Sequence, residues 1–158
     1  MPRPPATIKI LDVLKPEAVT TDLKGTTKQE VLVSLARLLF PRAGETVQAE
    51  ILQALLDREK LGSTGIGSGV AVPHTKSSHV PSIACAFGVA KNGVDFEALD
   101  KAPVFLFFLL VAPPNSQSEH LNVLARIVRL LKDRMFRQSL REAKTSEEVL
   151  RLISEEDA

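Results

Sequence analysis

"PVFLFFLLVAP", residues 103–113, sets nine apolar residues between prolines. A helix crossing a bilayer needs about 20 apolar residues, so this run is too short to span one. Its length and its Val, Phe and Leu content instead predict a strand, Val104–Ala112, buried on both faces. Upstream, "IACAFGVA" (residues 83–90) reads as a second strand, and "KNG" (residues 91–93) as the turn that follows it.

Helices flank this central pair. Thr27 and Glu30 have capping-box spacing, and Val31, Leu32, Leu35, Leu38 and Leu39 then recur at helical spacing until Pro41 and Gly44 stop them. A second helix is predicted from about Val47 to Lys60, with Ile51, Leu52, Leu55 and Leu56 inward and Gly62 just beyond its end. Ser116 and Glu119 mark a third, with an apolar stripe of Leu121, Leu124, Ala125, Val128 and Leu131. Thr145 and Glu148 start a short last helix carrying Val149, Leu150 and Ile153. Helices first, strands in the middle and helices last argue for an α/β domain whose helices cover a mixed sheet. The 158 residues read as one domain, with flexible tails at 1–6 (proline-rich) and 155–158.

With 20 basic and 19 acidic side chains the formal charge is +1, which gives no reason to expect nucleic acid or an anionic membrane as main partner. Tyr and Trp are absent, so no aromatic-basic interleaving points to nucleic acid. The lone cysteine, Cys85, allows no intrachain disulfide and fits a reducing compartment. The start, "MPRPPATIKI", lacks the apolar core of a secretory signal. A cytoplasmic protein, peripheral to a membrane at most, is the expectation. His74, His79, His120 and Cys85 match no common zinc spacing, so neither a metal nor a cofactor is predicted.

"GSTGIGSGVAVPHTK", residues 62–76, is the segment that points to chemistry. Gly65, Gly67 and Gly69 fit neither the dinucleotide fingerprint nor a Walker loop, and Ile66 breaks the hydrolase elbow around Ser68. Glycines let backbone N–H groups form a concave anion nest, to which Ser63, Thr64, Ser68 and Thr75 add hydroxyls. Val70, Ala71 and Val72 anchor the loop as a strand, and Pro73 fixes the backbone before His74. A histidine there, much of it neutral at pH 7, suits proton transfer or nucleophilic attack on phosphorus. The competing reading is a glycine-rich turn with an incidental surface histidine.

"LLDREKLGSTGIGSGVAVPHTK", residues 55–76, closely resembles the active-site segment of enzyme IIA domains of the bacterial phosphoenolpyruvate-dependent phosphotransferase system. The wording is that of the fructose/mannitol class, which includes the nitrogen-regulatory proteins. "SEHLNVLARIVRLLKD", residues 118–133, is similar to the family's second motif, and the resemblance runs from about Ile8 to Ile153. It implies a three-layer α/β/α sandwich around a mixed β-sheet. It also implies a phosphotransferase component in which His74 takes a phosphoryl group from the histidine phosphocarrier protein. By the same resemblance His120 stabilises the phosphate and Arg58 gives electrostatic support; the nest argument adds Ser63, Thr64, Gly65, Gly67 and Thr75 as candidate phosphate-binding residues. Ser68 and Thr75 stand where Asn and Gly are frequent in the family. His120 has a case of its own, since it falls near the first turn of its helix, where free N–H groups favour a phosphate. Its alternative is a histidine flanking the core. Arg58 alone reads as well as a surface ion pair among Asp57, Glu59 and Lys60.

The length favours a regulatory nitrogen-type enzyme IIA. The alternatives are a sugar-uptake component donating to a permease-linked domain, and a binding module of the same fold, since cytoplasmic domains of eukaryotic anion exchangers resemble it.

Overall fold

The computed structural model describes residues 8–158. The proline-rich tail expected at 1–6 lies outside them.

Strand β6 (Val104–Ala112) is the spine of a six-stranded mixed sheet, and eight of its nine residues are buried. On one side it pairs antiparallel with β5 (Ala84–Val94), which pairs parallel with β1 (Leu14–Thr20). On the other side two short strands run parallel to it, end to end. Strand β3 (Val70–Ala71) sets Val70 opposite Leu106, and β4 (His74–Lys76) sets His74 opposite Leu110 and Lys76 opposite Ala112. The break between them falls at Pro73, which has no N–H to donate, although its carbonyl still accepts from Leu110 N at 3.0 Å. Val72 N turns away to Thr64 O, 3.0 Å. Outermost is β2 (Gly65–Gly67), antiparallel to β3.

Burial of β6 on both faces requires helices on both. Helices α2 (Lys28–Leu39) and α3 (Glu45–Lys60) pack on each other and against β1, β5 and β4. Helices α4 (Gln117–Leu130), α5 (Arg134–Glu142) and α6 (Ser146–Glu156) form a second group over β6, β5 and β1, joined by the single-turn α1 (Ile10–Val13). The result is the expected three-layer sandwich. Phe87 and Phe108, 4.7 Å between ring centroids, and Phe96 and Phe107, 5.3 Å apart, fill the sheet's inner layers.

Local details correct several expectations. Thr27 and Thr145 do cap α2 and α6, accepting from Glu30 N and Glu148 N, but each Glu carboxylate bonds one residue earlier, at the Thr26 hydroxyl and the Lys144 amide. Ser116 does not cap α4; its hydroxyl donates to Pro113 O at 2.8 Å. "KNG" is no turn: β5 runs through it as a bulge, and the chain reverses over residues 95–103. Gly93 holds φ +74°, and a Cβ there would sit 2.9 Å from the Phe105 ring. Helix α5 was not foreseen. It buries only Phe136 and Leu140, an interval too brief for periodicity to register, and Asp133 caps it.

The stripe of α4 is turned by about one residue. His120, Val123, Ile127 and Leu130 are buried, whereas Leu121 is 65% exposed and Ala125 is exposed too. The helix carries two adjacent apolar rows, and the β-branched one faces the sheet. Residues 155–158 are not a loose tail either. The Asp157 carboxylate is buried, accepts from Ile10 N at 2.8 Å and pairs with Arg126, which ties the end of α6 to α1 and α4.

Candidate active site

His74 and Lys76 alternate with Thr75 along β4, so their side chains leave the same face of the strand. That face meets the first turn of α4. Together they line a pocket of about 350 Å³ formed by His74, Lys76, Gln117, His120, Leu121 and Leu124. The two imidazoles meet edge to face, 5.6 Å between centroids at 78°.

The tautomer of His74 follows from its backbone. Nδ1 lies 2.8 Å from Val72 O, and a carbonyl only accepts, so Nδ1 carries the proton. Nε2 therefore keeps its lone pair. Burial is the main cause that holds His74 below the ordinary 6.5, with the Arg58 charge adding to it and the Val72 bond and Glu59 opposing. His120 is held low by burial first, then by His74 and Lys76. Both rings are thus neutral near pH 7. His120 is 6% exposed, and its Nε2 is buried with no hydrogen-bond partner. An unpaired buried polar atom costs about 1–3 kcal/mol, so a ligand that pairs with it gains that much.

The α4 terminus adds to this. First-turn N–H groups have no intrahelical partners, and Ser116 leaves them uncapped. An anion against Gln117 and His120 meets both free donors and the positive end of the helix dipole.

The glycine loop does something other than cradle an anion. Thr64 N and Thr64 Oγ1 both donate to the Glu59 carboxylate, at 3.1 and 2.5 Å. Ser63 Oγ donates to Phe96 O at 2.7 Å and accepts from Gly65 N at 3.0 Å. Gly65 O accepts from Leu99 N at 3.1 Å, and Ser68 N donates to Asp100 Oδ2 at 3.1 Å. These groups are committed to protein partners. Gly65 is buried, packed on Ala98, where a Cβ would come within 2.8 Å of the Ala98 Cβ. Gly67, at φ +95°, passes beside Asp100. The loop is a brace locked to residues 95–103, and its outcome reaches His74 through Thr64 O, Val72 and the Val72 carbonyl.

Of the sequence-derived candidates, His74 and His120 come together. Arg58 stands at the end of α3, donates to Gly62 O at 2.9 Å and contributes its charge at His74. Ser63, Thr64, Gly65 and Gly67 lie in the brace, and Thr75 leaves the opposite face of β4; none lines the pocket. The sequence reading missed Lys76, Gln117, Leu121, Leu124 and Glu59. Period-two spacing from His74 would have found Lys76 once residues 74–76 were known to be a strand. Glu59 is 8% exposed and also pairs with Lys28 Nζ at 3.0 Å, which in turn lies 4.8 Å over the Phe96 ring.

His79 pairs with Glu50 at 2.5 Å on the surface, and Cys85 is buried in β5 with its thiol pushed up by burial. Among the described residues no three His, Cys, Asp or Glu side chains group to hold a metal, and no helix is long and apolar enough to cross a membrane.

Proteins of similar sequence and fold are known. The family model for the enzyme IIA component, type 2, of the phosphoenolpyruvate-dependent sugar phosphotransferase system matches residues 12–156. A nitrogen regulatory protein of Bradyrhizobium diazoefficiens is 37% identical over 145 residues, 92% of this chain and 94% of the relative. The crystal structure of nitrogen regulatory protein IIA-Ntr from Neisseria meningitidis superposes with TM-score 0.82 at 31% identity, covering 90% of this chain and 97% of that one. IIA mannitol from Escherichia coli gives 0.73 at 29% identity, with 88% and 97% covered.

Proposed function

This chain belongs to the enzyme IIA type 2 family of the phosphotransferase system, a phosphoryl relay, and on that premise we propose that His74 Nε2 is its phosphoryl acceptor. The histidine phosphocarrier protein is the donor, and the chain acts as a nitrogen-regulatory enzyme IIA. The observation that carries the residue assignment is the Val72 O···His74 Nδ1 bond at 2.8 Å, which leaves Nε2 as a lone pair on the pocket wall.

The step is an exchange of P–N bonds. Nε2 approaches phosphorus in line with the donor nitrogen, the new P–N bond forms, and the donor nitrogen leaves with its electron pair. One PO₃⁻ unit moves and no proton does, because Nδ1–H stays on Val72 O. The product gathers negative charge against the α4 first turn and His120. The His120 tautomer that carries its proton on the unpartnered Nε2 donates it to a phosphoryl oxygen. Arg58 adds positive charge at His74 from the end of α3. A relay starting from phosphoenolpyruvate is cytoplasmic chemistry, and the 37% identity with a nitrogen regulatory protein, together with the higher TM-score of IIA-Ntr (0.82, against 0.73 for IIA mannitol), supports the regulatory role over sugar uptake.

Intact mass is measured after incubation with phosphoenolpyruvate, enzyme I and the phosphocarrier protein. One added phosphoryl group, lost in acid, stable in base and absent from His74→Ala, is the expected result. A His74→Ala variant that still gains the group overturns the assignment.

A further inference from the structure

If the glycine loop is a brace, the charge of a phosphoryl group on His74 has to be met by other groups. The loop amides and hydroxyls at 63–65 and 68 already have protein partners. Arg58 is turned onto the Gly62 carbonyl. One cation lines the histidine pocket itself, and it is Lys76.

We propose that Lys76 is a catalytic residue of the relay, its ammonium touching the phosphoryl oxygens during transfer to His74; this rests on the His74 reading above. Three observations carry it. Lys76 shares the His74 face of β4, two positions on, with the pair held in register by Leu110 and Ala112. It is a wall of the same pocket as both histidines. No carboxylate lies within 4 Å of its Nζ among the described residues, in contrast to Lys24, Lys28 and Lys60, which are paired. Its charge already acts inside the pocket, helping to keep His120 neutral. Lysine suits this place as a compact charge on a flexible stem, able to follow the group as phosphorus moves from donor to Nε2.

The alternative is a lysine that only attracts an acidic donor surface. Two readouts separate these on the full chain. The first is the transfer rate from the phosphocarrier for wild type, Lys76→Gln and Lys76→Arg, followed by intact mass. The second is the ³¹P titration of the phosphoryl group on each chain once phosphorylated to completion. A cation in contact favours the dianion, so Lys76→Gln is expected to move that titration to higher pH and Lys76→Arg to restore it. Transfer to Lys76→Gln is expected to slow about tenfold. Lys76 is exposed, so the variants keep the wild-type melting temperature. A ³¹P titration unchanged by Lys76→Gln overturns the inference whatever happens to the rate. A wild-type chain that takes no phosphoryl group overturns both this and the His74 reading.

Discussion

Glu59 is the buried group on which the brace hangs, and replacing it with Gln tests the brace directly. The Glu59 side chain is 4% exposed and that of Lys28 is 18%. The carboxylate takes three donors: Lys28 Nζ, Thr64 N and Thr64 Oγ1. Removing one partner of a fully buried ion pair costs about 3–5 kcal/mol. Lys28 is partly wet and lies over the Phe96 ring, so it keeps some compensation and the ion-pair loss falls to about 1–2 kcal/mol. The Gln side chain has one acceptor oxygen for two Thr64 donors, which leaves one buried donor short and adds about 1 kcal/mol. The sum is roughly 2–3 kcal/mol, or about 5–10 °C in a domain of this size.

Thermal unfolding of Glu59→Gln, Lys28→Met and the double variant is the assay. The pair makes the effects non-additive, because the double variant no longer buries an unmatched charge, and a coupling of at least about 1 kcal/mol is expected. Phosphorylation adds a functional readout: Thr64 O holds Val72 N, and Val72 O holds His74 Nδ1, so a slackened Thr64 slows transfer as well. Additive melting shifts, or a Glu59→Gln loss under about 0.5 kcal/mol, would refute the reasoning.

Two other outcomes follow. Both active-site histidines titrate below 6.5 in the folded chain, whereas the unfolded chain takes its protons at about 6.5. The unfolded state therefore binds more protons as pH falls below that value, and stability drops by up to about 1.4 kcal/mol per pH unit for each histidine until the folded values are reached. Denaturant unfolding at pH 7.5 and 5.5 measures this, and His120→Gln is expected to shallow the slope; an equal slope in the variant counts against a buried neutral His120. Gly65→Ala forces a Cβ against Ala98 and is expected to cost about 1–3 kcal/mol by overpacking, with Ala98→Gly restoring part of it. An unchanged melting temperature would mean that the loop is free to move off residues 95–103.

How much of this was legible beforehand differs by residue. Val104–Ala112 announced a doubly buried strand, because nine consecutive apolar residues leave no polar face to orient. His74 stood out because Pro73 and the strand-like Val70–Val72 fix one residue at the loop's exit. The turn of α4 was not legible. Leu121 and Leu124 offer as good a stripe as Val123 and Ile127, and helical spacing alone does not choose between two adjacent apolar rows. That choice also moved His120 from the edge of the core into it. Glu59 hid among Asp57, Arg58 and Lys60, a run that reads as a solvated helix end, since its partner Lys28 is 31 positions away. Lys76 needed the knowledge that the segment after Pro73 resumes as a strand.

The glycines themselves show why residue type and role can part. A glycine-rich loop before a reactive histidine reads as an anion nest when its free N–H groups are counted from sequence alone. In the fold those groups face Glu59, Ser63 and Asp100, two of them carboxylates, and a phosphate placed among them would meet like charge. Small residues are needed there for a different reason: Gly65 lies against Ala98, and the loop has to pass that closely for Thr64 O to reach Val72 N. The proposed binding and the bracing thereby fall to different groups. His74 and Lys76 face the uncapped start of α4, where charge is welcome, while the glycine loop holds the backbone before His74 through Thr64 O and Val72 N. A histidine whose Nδ1 is held by its own backbone presents Nε2 without turning its ring, and in the proposed relay that constancy is what the brace contributes.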